Sequence, residues 1–179
     1  MDDIYKLEET FVDAVKHGIL PNIKQLEWRS ILIRRRLSSE ASNRGFSLDN
    51  IDIIKDIFKG DSLINALFRD NVHLTLFIAL YEILHKALDD LKLLPGDGER
   101  YYHIIRSRYF DNDTASMDNA KQEVHVQNHN TYKKIEQKAI YQYAVAVQFN
   151  IDEFAETERR KKVLNIKNID HMQEPCCNQ

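Results

Sequence analysis

Glycine and proline are scarce: five and three in a chain of 179 residues. Tight hairpin turns draw on both, so a strand-rich fold with many turns is disfavoured and long helices are favoured. Cysteine is scarcer still. Cys176 and Cys177 stand side by side near the C-terminal end, which leaves no disulfide framework and no Cys-x-x-Cys zinc pattern. A reducing cytosol suits that usage. Long hydrophobic runs are absent too. The longest, Leu74 to Tyr81, is broken by Thr75 and falls far short of the ~20 residues that span a bilayer. The opening MDDIYKLEE is acidic and has no signal-peptide pattern, so the expected location is cytoplasmic, with no membrane partner. Positive charge is not in excess. A net charge of −3 and a pI of about 6.2 exclude a uniformly basic nucleic-acid binder, though not one that gathers its cations on one face.

Catalytic patterns are missing as well. There is no Gly-x-Ser-x-Gly, no phosphate-cradling glycine loop and no His-Glu-x-x-His. No enzyme, cofactor or metal is therefore expected. His125 and His129 have the i, i+4 spacing of a helical zinc pair, but they flank an expected turn and lack a third ligand nearby. His73 and His85 fall on the most apolar helix and read as core or interface histidines.

What is there is a globular composition, 43% hydrophobic and 30% charged. Apolar residues recur at helical spacing along nearly the whole chain. Helices are expected near 2–17, with Gly18 and Pro21 ending the first, and near 22–37, before a loop-like SSEASNRG at 38–45. Further helices are expected near 48–58 and 61–68, then over 72–93, whose apolar residues cover more than one face. That last one reads as the central buried helix. The LLPGDGE stretch breaks the pattern at Pro95, Gly96 and Gly98. Helices follow near 99–110, 116–125 and 130–149, joined by the polar loops DNDTAS and VQNHN. The expected fold is all-α, with an N-terminal helical bundle followed by a C-terminal tri-helical unit of helix-turn-helix type. The expected division is a dimerisation or partner-binding module at 1–95, a DNA-binding unit at 99–154 and a basic, largely disordered tail at 155–179.

A helix-turn-helix needs a short helix, a tight turn and a second helix whose first turns reach a DNA groove. Met117, Ala120, Val124 and Val126 can line the crossing, and Tyr132, Ile135 and Ala139 the inner face of the second helix. That leaves Gln127, Asn128, His129, Asn130, Thr131, Lys133, Lys134, Gln137 and Lys138 outward. Asparagine and glutamine can pair with adenine; lysine can meet guanine or phosphate. The tyrosines gathered in this half, Tyr101, Tyr102, Tyr109, Tyr132, Tyr141 and Tyr143, are either base-stacking groups or helix-crossing residues.

The residues RYF, Arg108 to Phe110, followed further on by NTYKKIEQKAI, Asn130 to Ile140, resemble the C-terminal region of ArpU-type phage transcriptional regulators. Those are in turn similar to region 4 of sigma factors. The match runs from Glu99 to Val145. His125 stands where that family commonly has a turn glycine, and the loop after Phe110 lacks its usual aromatic run. The resemblance implies a phage- or mobile-element-type regulator that binds double-stranded DNA, with Asn130, Thr131, Lys133, Lys134 and Lys138 on the recognition helix and Arg106 and Arg108 near phosphates. A homodimer is expected, because one short helix reads only a few base pairs. Two other functions fit the same pattern. One is a helical adaptor that binds a host protein; the other is a small DNA-packaging (terminase-like) subunit. A further cationic run, Arg29, Arg34, Arg35 and Arg36, reads as a solvated helix face paired with neighbours such as Glu27 or Glu40.

Overall fold

The computed structural model describes residues 7–45, 47–48, 66–67, 70–111 and 117–171. The helices expected at 48–58 and 61–68 lie almost wholly outside them, as does most of the DNDTAS loop. The fold is all-α: among the described residues there are helices and no strand.

The first helical stretch does not end at Gly18 or Pro21. Helix α1, Glu9–Asp13, passes into a π-wound segment, Ala14–Ile19, then a 3₁₀ turn, Leu20–Asn22, and then α2, Ile23–Asn43. Proline lacks an N–H, and the first turn of a helix needs none there, so Pro21 is accommodated where the winding changes. The Asn22 side-chain amide donates to the Gly18 carbonyl at 2.8 Å and satisfies a group freed by the change. Val15, Leu20 and Ile23 stay buried throughout, so core contact carries the chain across the switch.

Helix α2 also runs through the SSEASN stretch expected to be loop. Serine and asparagine are weak helix formers, but Leu37 and Ala41 are buried at i, i+4 spacing, and packing outweighs propensity. The end is pinned by Arg44, which bonds Glu40 at 2.8 Å and Asp70 at 3.0 Å. Gly45, at φ +86°, then turns the chain. Of the arginine run, Arg34 pairs with Glu82, a partner on another helix and not one of the acidic residues close by in sequence.

Helix α3, Val72–Asp90, is extended by a 3₁₀ turn, Leu91–Leu93. Its C-terminal half is the buried centre, through Leu84, Ala87, Leu88 and Leu91. Its N-terminal half is not buried all round: Val72, Leu76 and Leu80 face outward, and on α2 so do Trp28, Ile31 and Leu32. His85 is half-buried, sharing a 2.5 Å hydrogen bond with Tyr81 and meeting the edge of Phe110. Burial outweighs the nearby carboxylates of Glu27 and Asp89 and lowers its pKa. His73 is exposed.

Pro95–Gly98 is a tight turn, and buried residues on both sides of it fall in one cluster. Helix α4, Gly98–Ile105, continues as a π-wound segment, Arg106–Phe110. Its Tyr102, Ile104 and Ile105 join Val15 and Leu20 from the chain's start, Leu84 and Leu88 of α3, and residues further on in a single cluster. The short helix α5, Met117–Glu123, and the long helix α6, His129–His171, are the last of the described elements. Helix α6 was expected to stop near residue 149, before a disordered tail. It has 43 residues, about 64 Å at 1.5 Å per residue. The stretch from Ala155 to His171 is rich in glutamate, arginine and lysine and free of glycine and proline, so propensity favours helix. Asn150 donates to Asp90 at 2.7 Å and Lys86 pairs with Glu153 at 2.7 Å, fastening its middle to α3. No helix among the described residues is long and apolar enough to cross a membrane.

Candidate nucleic-acid interface

The turn between α5 and α6 is built from local hydrogen bonds. His125 N–H bonds the Gln122 carbonyl at 3.1 Å, and Val126 N–H reaches back to Lys121 at 2.9 Å. This is the paired closure of a Schellman motif. It puts His125 at φ +54°, in the left-handed region that favours glycine. Val126 then turns inward and is buried with Ala120 and Tyr132. Asn128 starts the next helix: its side-chain oxygen accepts the N–H groups of Asn130 at 3.0 Å and Thr131 at 3.1 Å. That is an N-cap. A testable consequence is that His125→Gly raises thermal stability by roughly 1 kcal/mol, by removing the left-handed penalty. Asn128→Ala lowers it by about 1 kcal/mol. Urea melts of both variants check the pair; a destabilised His125→Gly would mean that the imidazole makes a compensating contact.

The cap changes what Asn128 can do. A bidentate pair with adenine needs both amide atoms, and its oxygen already accepts two N–H groups. Asn128 is a structural residue of the turn, and Gln127 is the exposed polar group before it. On α6, Asn130, Lys134, Gln137 and Tyr141 recur at i, i+4, i+7 and i+11 and share the outward face. Thr131 and Lys138 lie on one flank and Lys133 on the other, all exposed. None of Lys133, Lys134 and Lys138 is ion-paired with a described residue. The helix dipole adds positive potential at the same end.

The two arginines are placed differently. Arg106 lies 3.2 Å from the Asp111 carboxylate and donates to the Tyr102 hydroxyl at 2.8 Å. Arg108 is half-buried, 3.4 Å from Glu136, between the π-wound segment and α6. Both are paired within the chain, Arg106 at an exposed position and Arg108 at a half-buried one. The acidic residues nearby are also engaged within the chain. Glu123 accepts from Ser107 and meets His103 at 2.8 Å, and Asp118 pairs with Lys121 at 3.4 Å. The inner residues fall where the spacing puts them: Tyr132 and Ala139 are buried, and Ile135 is partly buried against the core. Burial raises the Tyr132 hydroxyl well above the ordinary phenol range, so it stays neutral.

Further along α6 the outward face is no longer a ridge. From Gln137 onward it is flanked by α1 on one side and α4 on the other. The α1 side is lined by Glu9, Asp13, Lys16 and Tyr141. The α4 side is a cleft of about 590 Å³ lined by Tyr101, Lys134, Gln137, Lys138, Tyr141 and Gln142. Tyr101, Tyr141 and Gln142 were outside the expected contact set. Both tyrosines stand among the candidate stacking or packing aromatics of the sequence; Tyr141 also follows Lys134 by two helical turns, whereas Tyr101 comes from another helix, so spacing alone does not place it beside Lys134. Among the described residues, no cluster of His, Cys, Asp or Glu is placed to hold a metal ion, and His125 and His129 are separated by the turn. Compared with family models, curated proteins and solved structures, the chain matches none.

Proposed function

We propose that this chain binds double-stranded DNA through the first turns of α6 and acts as a transcriptional regulator of the phage or mobile-element kind. The observation that carries the reading is the set of exposed lysines, Lys133, Lys134 and Lys138, beside Asn130 and Thr131 on a capped helix that follows a short helix and a tight turn. Cations on one face can offset an acidic total charge, because a phosphate backbone responds to the local field. The contact set narrows to Gln127, Asn130, Thr131, Lys133, Lys134, Gln137 and Lys138, because Arg106 and Arg108 are engaged within the chain. A homodimer would supply the second half-site that one such helix needs.

Lys133→Ala and Lys134→Ala should each weaken binding to duplex fragments and lower the slope of log K against log salt by about 1. Fluorescence anisotropy over a salt series measures both. Unchanged affinity and slope in both variants would remove α6 as the DNA-contacting helix. A second reading, an adaptor for a host protein, has its own support in the exposed apolar residues Trp28, Ile31, Leu32, Val72, Leu76 and Leu80. Absence of duplex binding at low salt would favour it. The packaging-subunit reading would need a ring, which sedimentation would reveal.

A further inference from the structure

The six tyrosines of the C-terminal half differ in burial, and Tyr109 is partly buried against the core. Tyr102, Tyr132 and Tyr143 are buried in the core. Tyr101 and Tyr141 are not; they stand on two different helices and line the same cleft as Lys134, Gln137, Lys138 and Gln142. Every one of those side chains can donate a hydrogen bond, and no carboxylate is among them. Asp97 lies just outside, at 3.5 Å from the Tyr101 hydroxyl, and Arg100 pairs with it at 3.8 Å. On the other side of α6 the surface carries Glu9 and Asp13 against a single cation, Lys16, which makes it the less favourable side for a phosphate. The favourable path for a polyanion therefore runs along the α4 side.

A rigid duplex can lay its phosphates along Lys134 and Lys138 but cannot bring its bases, stacked inside, against the two aromatic rings. The cleft suits a strand whose bases can splay onto aromatic faces while lysines follow the backbone. We propose that the cleft between α4 and α6 binds single-stranded nucleic acid, with bases against Tyr101 and Tyr141 and phosphates on Lys134 and Lys138. This activity goes beyond duplex recognition and does not depend on it. The two share Lys134, Gln137 and Lys138, but the tyrosines belong to the cleft alone and Lys133 faces away from it.

The test uses the full chain and three labelled probes: a dT 12-mer, a U 12-mer and a mixed-sequence duplex, each followed by anisotropy. The single strands should bind, with affinity falling as salt rises. Tyr101→Leu and Tyr141→Leu should each weaken that binding roughly ten-fold, as expected for loss of one stacked base, and leave the duplex curve in place. Lys133→Ala should do the reverse. Lys138→Glu, a surface change that spares the core, guards against misfolding of the tyrosine variants and should also abolish strand binding. Comparable binding of dT and U would mean that the sugar is not read; a preference would identify DNA or RNA as the source. Failure of both strands to bind at low salt, or unchanged strand affinity in Tyr101→Leu, Tyr141→Leu and Lys138→Glu, overturns the proposal whatever the duplex does.

Discussion

Replacing Tyr143 with alanine will destabilise the chain by roughly 3–5 kcal/mol, the cost of removing a fully buried aromatic side chain. Tyr143 has no exposed surface and sits on the inner face of α6, with its hydroxyl donating to the Leu84 carbonyl at 3.0 Å. Its ring meets Phe110 edge-to-face at 6.3 Å. One side chain thus ties together α3, α6 and the end of the segment that follows α4. Burial raises the phenol far above its ordinary range, so it remains a neutral donor across the usable pH range. Tyr143→Phe should cost only about 1 kcal/mol, because it removes one hydrogen bond and keeps the ring. Urea denaturation of both variants separates packing from hydrogen bonding. Equal losses would mean that the hydroxyl, not the ring, holds the junction.

The second large effect concerns Gly98. It opens α4 as a buried residue, and a Cβ built there would lie 2.4 Å from the Leu91 carbonyl oxygen and 3.0 Å from the Leu94 Cβ. The closest obstacle is backbone, so no rotamer change relieves it. Gly98→Ala should therefore cost about 3 kcal/mol, at the upper end of overpacking effects. The comparison is Gly96, at φ +83° with open space around it, where alanine should cost only about 1 kcal/mol of backbone strain. The Gly98 change also moves α4 relative to α3, and with it Tyr101, so strand binding in the cleft should weaken alongside stability. If Gly96→Ala proved the more damaging, the close approach of the two backbones would be unimportant.

Helix positions were readable wherever apolar residues repeat at helical spacing. The helices at α3, α4 and α6 follow that pattern, as does the inward set Tyr132, Ile135 and Ala139. The reading failed where composition and packing disagree. SSEASN looks like loop, yet Leu37 and Ala41 hold it helical. Gly18 and Pro21 look like a stop, yet the chain rewinds through π and 3₁₀ turns. The polar stretch after Phe154 looks like a tail, yet the helix continues to His171. Among the candidate contacts, Asn128 had the residue type for a base contact and equally for a cap, and only the turn geometry selects the cap. Arg106 and Arg108 had the charge for phosphate, but their partners Asp111 and Glu136 could be assigned only in three dimensions.

By itself, then, the sequence determined the all-α class, the short helix, turn and basic helix, and the residues along the outward face of that helix. Local spacing suffices for these, because a helix repeats every 3.6 residues and a turn is closed by near neighbours. The tertiary structure decided the rest. It joined both sides of Pro95–Gly98 in one core, paired Arg106 with Asp111 and Arg108 with Glu136, and set Tyr101 beside Lys134 and Lys138. Those relations depend on how separate helices pack, and no periodicity within one helix encodes which side chain from another will stand beside it.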